Sequence, residues 1–296
     1  MLAEEKYGIR RYSTMKTYDL EETVRKRRSV RSYENRPLSQ ADKEYLLSFI
    51  EELLKEETPF PAKIHIRLLE AKPGTDTEKL GTYGVIRGAK AFLCVTAENT
   101  ETAPEAVGFT FEKLVLTVTS MGLGTCWIAG TFNREQFKGA MDIGKDEIFP
   151  IVCPIGYPLD KKTFIDSIFR KAGRSDQRKD WSELFFENKF GTPLTKEQAG
   201  EYAFPLEMLR LAPSAVNRQP WRIVRIGNAF HFYREGSPKS KGSYDLQRLD
   251  VGIGACHFYL AAQERALAGE FKRLPEPPIT ADDGIKYLFS WVTEQN

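Results

Sequence analysis

The chain alternates between stretches of helical and of strand-like hydrophobic period. Leu20 to Arg28 predicts a first helix whose last turn is basic (Arg25, Lys26, Arg27, Arg28), which suits the negative end of a helix dipole. Ser39 has the character of an N-cap, with Asp42 three residues on, and Leu46, Phe49, Ile50, Leu53 and Leu54 then recur at i, i+3, i+4 spacing. That predicts an amphipathic helix of about four turns. Ile64 to Leu69 alternates like a half-buried strand, Ala91 to Thr96 is a more uniformly apolar one, and Ile148 to Ile155 reads as a third. Between them Phe109 to Met121 is apolar on most faces, a central buried helix closed by Gly122-Leu123-Gly124. Thr195 with Gln198 forms a capping box that opens a helix to Leu211. Trp221 to Ile226 and Ala229 to Tyr233 predict a hairpin through Gly227-Asn228. Val251 to Leu267 is a second long apolar helix and Tyr287 to Val292 a last strand. Asp160 to Lys179 is charged and without period, and reads as a linker.

These elements fall into two similar sets in the same order. Pro37-Leu38-Ser39 and its helix match Pro193-Leu194-Thr195 and its helix, about 156 positions later. The strand from Ile64 falls opposite the strand from Trp221 at nearly the same offset. Val107-Gly108 and Val251-Gly252 open the two buried helices, about 144 positions apart. The expectation is a fused pseudo-dimer, two halves of one fold on one chain.

Composition narrows the function classes. Lys+Arg 43 against Asp+Glu 41 leaves a net charge of +2, too small a basic excess for nucleic-acid binding by bulk charge. Three histidines lie far apart and four cysteines show no C-x-x-C spacing, which argues against a zinc site and a disulfide framework. Cysteines inside apolar runs suit a reducing compartment. Met1 to Thr17 is polar, and no apolar run approaches the about 20 residues of a spanning helix. The expectation is a cytoplasmic protein without membrane or nucleic-acid partners.

Three segments carry candidate chemistry. Arg27-Arg28-Ser29-Val30-Arg31 sets three guanidiniums and a hydroxyl close together, and the planar guanidinium pairs with phosphate oxygens bidentately. Ala212-Pro213-Ser214-Ala215-Val216-Asn217-Arg218-Gln219-Pro220-Trp221 makes a stiff polar loop entering a strand, with side chains able to bond a flat heterocycle. Gly122-Leu123-Gly124-Thr125-Cys126-Trp127-Ile128-Ala129-Gly130 lets backbone amides approach a ligand, though it is not a dinucleotide fingerprint. No Ser-His-Asp or Cys-His arrangement is supported.

Together these three segments resemble the signatures of the FMN-dependent nitroreductase family. The two-halves arrangement, with Asp250-Val251-Gly252-Ile253-Gly254-Ala255-Cys256-His257-Phe258 in the second half, is similar to a fused-chain subgroup of it. The resemblance covers residues 18 to 296 and implies an α+β nitroreductase-like fold, with a first half over 18–185 and a shorter second half over 186–296. It implies an enzyme, an FMN-dependent oxidoreductase fed by NADH or NADPH. The acceptor would be a nitroaromatic, a quinone or a related small molecule, reduced by a ping-pong mechanism. A flavin-storage protein and a scaffold binding an anionic partner are the alternatives. Carried over, Arg27, Arg28 and Ser29 hold the phosphate and ribityl chain, and Arg31 the N1/C2-carbonyl side. The amides of Ala129 and Gly130 face the N5/O4 edge, Pro213, Ser214 and Asn217 flank the ring system from the second half, and Arg178 reaches the phosphate. No catalytic side chain and no metal are implied.

Each half keeps what the other lacks. The first has Thr58-Pro59-Phe60-Pro61 where its own polar loop would stand, and the second has Glu187-Asn188-Lys189-Phe190 in place of the arginine run. One flavin site per chain, and a monomer, are therefore expected. Thr82, Tyr83 and Val85 stand where the family usually places a basic residue, before Arg87-Gly88-Ala89.

Overall fold

The computed structural model describes residues 18–70, 85–129, 132–133, 137, 146–159, 177–236, 245–275, 278–279, 281 and 283–294. Helix α1, Leu20–Lys26, is capped by Asp19, whose side chain accepts from Glu22 N. It ends two residues earlier than expected because Arg27 takes ψ 123° and leaves the helical region, turning the arginine run into extended chain. Helix α2, Gln40–Leu53, starts at the expected Ser39 cap and buries Leu46, Phe49, Ile50 and Leu53. Strands β1 (Ile64–Glu70) and β2 (Ala91–Glu98) lead to helix α3, Ala103–Ser120. This helix begins six residues before Phe109 because Pro104 stands in its first turn, where a missing N–H costs nothing. It ends at Gly122, whose φ of 79° needs glycine. Strands β3 (Gly124–Thr125) and β4 (Glu147–Gly156) complete the first set.

The second set opens with β5 (Phe185–Glu187) and helix α4 (Ala203–Leu211). The helix expected from Thr195 is broken: its capping box forms, but Gly200 at φ 57°, ψ −130° stops it after one turn and α4 restarts beyond. Strands β6 (Trp221–Ile226) and β7 (Ala229–Glu235) form the expected hairpin, followed by helix α5 (Leu246–Glu264) and strands β8 (Gly269–Lys272) and β9 (Ile285–Thr293).

The described strands form two sheets, ordered β1-β2-β4-β3 and β5-β6-β7-β9-β8. Without β5, which joins β6 in parallel, the second order repeats the first, and both run antiparallel throughout. Each set reads strand, strand, long helix, edge strand, strand. The repeat seen in the sequence is thus one topology used twice in a mixed α and β fold. β3, β5 and β8 are too short to show a period, so the sequence pattern passes over them.

The two long helices pack on each other at the glycines the repeat pairs. A Cβ on Gly108 would stand 2.2 Å from Leu249 O, and one on Gly252 would stand 2.4 Å from Glu105 O. Backbone meets backbone here, and both helices are buried along nearly their whole length. Polar residues in so dry a place need partners. Arg248 Nε donates to Glu105 (2.6 Å), and Lys113 pairs with Glu56 (2.7 Å) over the ring of Phe109. His257 meets the Glu112 carboxylate at 2.9 Å. No helix among the described residues is long and apolar enough to cross a membrane.

Candidate functional site

A cavity of about 750 Å³ opens where α1 ends. That volume falls in the range of small-molecule sites. One wall is Val24 to Arg31; the floor is Thr119 and Gly122 to Gly124, at the end of α3; Pro158, Arg178 and Leu211 close the far side. Both sets contribute, since Leu211 is the last residue of α4.

The arginine run is held extended by sheet-like pairing. Val30 N donates to Thr125 O (2.8 Å), and Ser29 bridges Thr125. Only glycine at 124 allows this approach, because a Cβ there would stand 2.8 Å from that of Val30. On its other side Arg87 N donates to Arg31 O (2.9 Å) and Tyr33 N to Arg87 O (2.9 Å). The backbone is pinned from both sides, which fixes where the guanidiniums stand.

The cavity is basic. Arg25, Lys26, Arg27, Arg28, Arg31 and Arg178 line it, and among the described residues no acidic one does. Arg25 and Lys26 already have neighbours one turn back, Glu21 at 2.7 Å and Glu22 at 2.6 Å. Arg27 differs: its Nε is buried and has no hydrogen-bond partner among the described residues. Burial lowers its pKa, and the Glu112 carboxylate opposes that shift; arginine stays charged regardless. An enclosed guanidinium with an unused donor favours an anion as its neighbour.

Of the residues expected to act together, Arg27, Arg28, Ser29, Arg31 and Arg178 line this one cavity. Pro213, Ser214 and Asn217 do not line it, but Asn217 holds a residue that does. Arg178 donates from Nη1 to Asn217 Oδ1 (3.0 Å) and from Nη2 to Leu211 O (3.1 Å). Asn217 Nδ2 donates in turn to Gln177 O (2.6 Å). Residues 177–179, expected in a linker, are thereby part of the site; 160–176 lie outside the described residues. Ala129 packs against the main core and does not line the cavity. Gly130, Thr82 and Tyr83 lie outside the described residues, and Val85 packs in the second, smaller core cluster.

The family described as "Putative TM nitroreductase" matches residues 19–262. The chain belongs to this nitroreductase family. It is therefore an oxidoreductase. A crystal structure of a putative nitroreductase from Thermotoga maritima superposes with a TM-score of 0.57 at 21% identity, covering 97% of this chain and 98% of that one. A nitroreductase with bound FMN from Bacteroides fragilis gives a TM-score of 0.38 at 19% identity, covering 50% of this chain and 95% of that one. No curated protein matches the chain.

Sequence reasoning missed two buried polar residues of this nitroreductase-family chain. Glu112 takes bonds from His257 and from Trp127 Nε1 (2.8 Å), tying α3 to α5 and to the segment before Ala129. Asp250, fully enclosed under the 212–221 loop, accepts from Ala215 N. Each is a charged or titratable residue inside an apolar helical run, a signal that was there to read. Burial pushes the Asp250 carboxyl up to about 8. A carboxyl raised on folding favours the fold most below its unfolded value, near 4, and that contribution is lost as pH climbs towards 8. Chemical denaturation should therefore show stability falling by a few kcal/mol between pH 5 and 8.5. Burial also raises the Glu105 carboxyl, to about 7, so Asp250→Asn should reduce that slope and leave Glu105's share; an unchanged slope would show that Asp250 does not contribute to it.

Proposed function

We propose that this nitroreductase is an FMN enzyme, taking electrons from NADH or NADPH and passing them to a nitroaromatic, quinone or related small acceptor. The observation that carries this reading is the unpartnered Arg27 Nε inside a wall of basic residues. A phosphate monoester suits it, being doubly charged with three strong acceptor oxygens. When bound, FMN supplies two-electron chemistry, accepting a hydride equivalent from the donor and releasing it to the acceptor in a second half-reaction at the same place.

The protein's own work is binding and electrostatics. Arg27, Arg28 and Ser29, with Arg178 from across the cavity, would hold the phosphate end and ribityl chain. Arg31, with its backbone fixed against Arg87, would bring positive charge to the ring edge where reduction adds electrons. Pro213, Ser214 and Asn217 would flank the ring system, and the amides of Ala129 and Gly130 its opposite edge. No side chain needs to act as general acid or base.

One site per chain follows from the asymmetry of two halves, 18–185 and 186–296. The first half's counterpart of the polar loop turns inward: Phe60 is buried with its ring 4.7 Å from Phe289 and 5.7 Å from Phe109. With its halves already joined, the enzyme acts as a monomer. Its four buried free thiols suit the cytoplasm.

The test is reconstitution. Protein mixed with FMN and freed of excess should keep a flavin absorbance band that bleaches anaerobically with NADPH or NADH. Flavin lost to the filtrate would reject the proposal; flavin retained but unbleached would make it a storage protein.

A further inference from the structure

The loop from Ala212 to Trp221 holds an improbable backbone. Val216, Asn217 and Gln219 stand at φ of 46°, 55° and 50°, left-handed values that L-residues rarely adopt. Val216 is β-branched and 77% exposed, so its own packing does not compensate. The loop keeps its shape through bonds made underneath. Gln219 N donates to Ser214 Oγ (2.8 Å), Lys179 N donates to Gln219 Oε1 (2.9 Å), and Ala215 N donates to Asp250 at 3.0 Å (Oδ1) and 3.1 Å (Oδ2). The last bond is the unusual one. Asp250 is a buried carboxyl in the second turn of α5, and Ala215 N is its only hydrogen-bond donor among the described residues.

A buried carboxyl costs stability. Placed under a strained loop whose Asn217 holds Arg178 against the cavity, it has a function that accounts for the cost. We propose that Asp250 is a positioning residue, which fixes the loop through Ala215 N and so aims Arg178 at the anion held in the cavity. The inference rests on the flavin reading above and adds a residue that touches neither the cavity nor the flavin.

The experiment measures FMN affinity of reconstituted protein, with melting recorded alongside. Asp250→Ala should weaken FMN binding about tenfold, since an orphaned buried N–H and a loosened loop are worth about 1.4 kcal/mol or more. Asp250→Asn keeps one acceptor oxygen and should restore affinity to within about threefold of wild type. In an Arg178→Ala background, Asp250→Ala should cause no further loss, because the effect travels through Arg178. Ala215→Pro removes the donor from the other side and suits the extended Ser214 before it (φ −148°, ψ 160°). It should reproduce the tenfold loss, and it serves if Asp250→Ala fails to fold. Lowered melting with FMN affinity unchanged would make Asp250 merely structural and overturn the inference, as would an equal loss with and without Arg178. Wild-type protein that takes up no FMN would overturn this inference and the flavin reading together; normal wild-type binding with indifferent variants overturns this inference alone.

Discussion

Arg27→Met should cost the protein its FMN while making the flavin-free chain slightly more stable. The two effects have one cause. Among the described residues Arg27 Nε is buried without a partner, and burial lowers the guanidinium pKa, so without a bound anion the protein holds this cation at a cost. Methionine fills similar space without charge and should raise unfolding free energy by about 1 kcal/mol. With phosphate present the balance reverses. Truncating one partner of an enclosed charge pair costs about 2–5 kcal/mol, so affinity should fall at least about 30-fold. Titration calorimetry and denaturant unfolding on the same preparation check both. A destabilised variant, or one that binds FMN normally, would mean that Arg27 is a structural cation.

Gly108→Ala should be strongly destabilising for so small a substitution. Its Cβ would meet Leu249 O at 2.2 Å and Ile253 N at 2.9 Å, both backbone atoms of a buried helix. Neither can swing aside as a side-chain tip would, so α3 and α5 must part along a face that is buried throughout. A cost of about 4 kcal/mol or more follows, roughly 10 °C in melting temperature for a chain of this size. Gly122→Ala is the control. Nothing lies within 4 Å of its added Cβ, and only the φ of 79° opposes it, so about 1 kcal/mol is expected. Equal losses at the two positions would contradict the close crossing.

The fold was legible wherever its elements carry a period. The Ser39 cap, the Gly227-Asn228 hairpin and the two buried helices follow from side-chain spacing, which is local chemistry. The paired Val-Gly steps at 107–108 and 251–252 went further, marking the contact around which the halves pack. What stayed hidden depends on tertiary contact. β3 has two residues and exists because Gly124 lets the arginine run lie beside it. The break at Gly200 could not be told from a tolerated helical glycine. In the site, Arg27, Arg28, Ser29 and Arg31 were visible as a cluster because they are adjacent in sequence. That Arg178 faces them is a fact of folding, since it arrives from far along the chain, and only the family resemblance had pointed to it. Glu112 and Asp250 escaped because each looked like a lone polar residue in an apolar helix; only their distant partners, His257 and Ala215 N, give them a role.

The account rests on one chain closing around one flavin. Its most direct test is to count FMN released on denaturation from reconstituted, gel-filtered wild-type protein whose mass is read by light scattering. One FMN per monomeric chain is the predicted result. Two per chain, one shared between two chains, or none would contradict it.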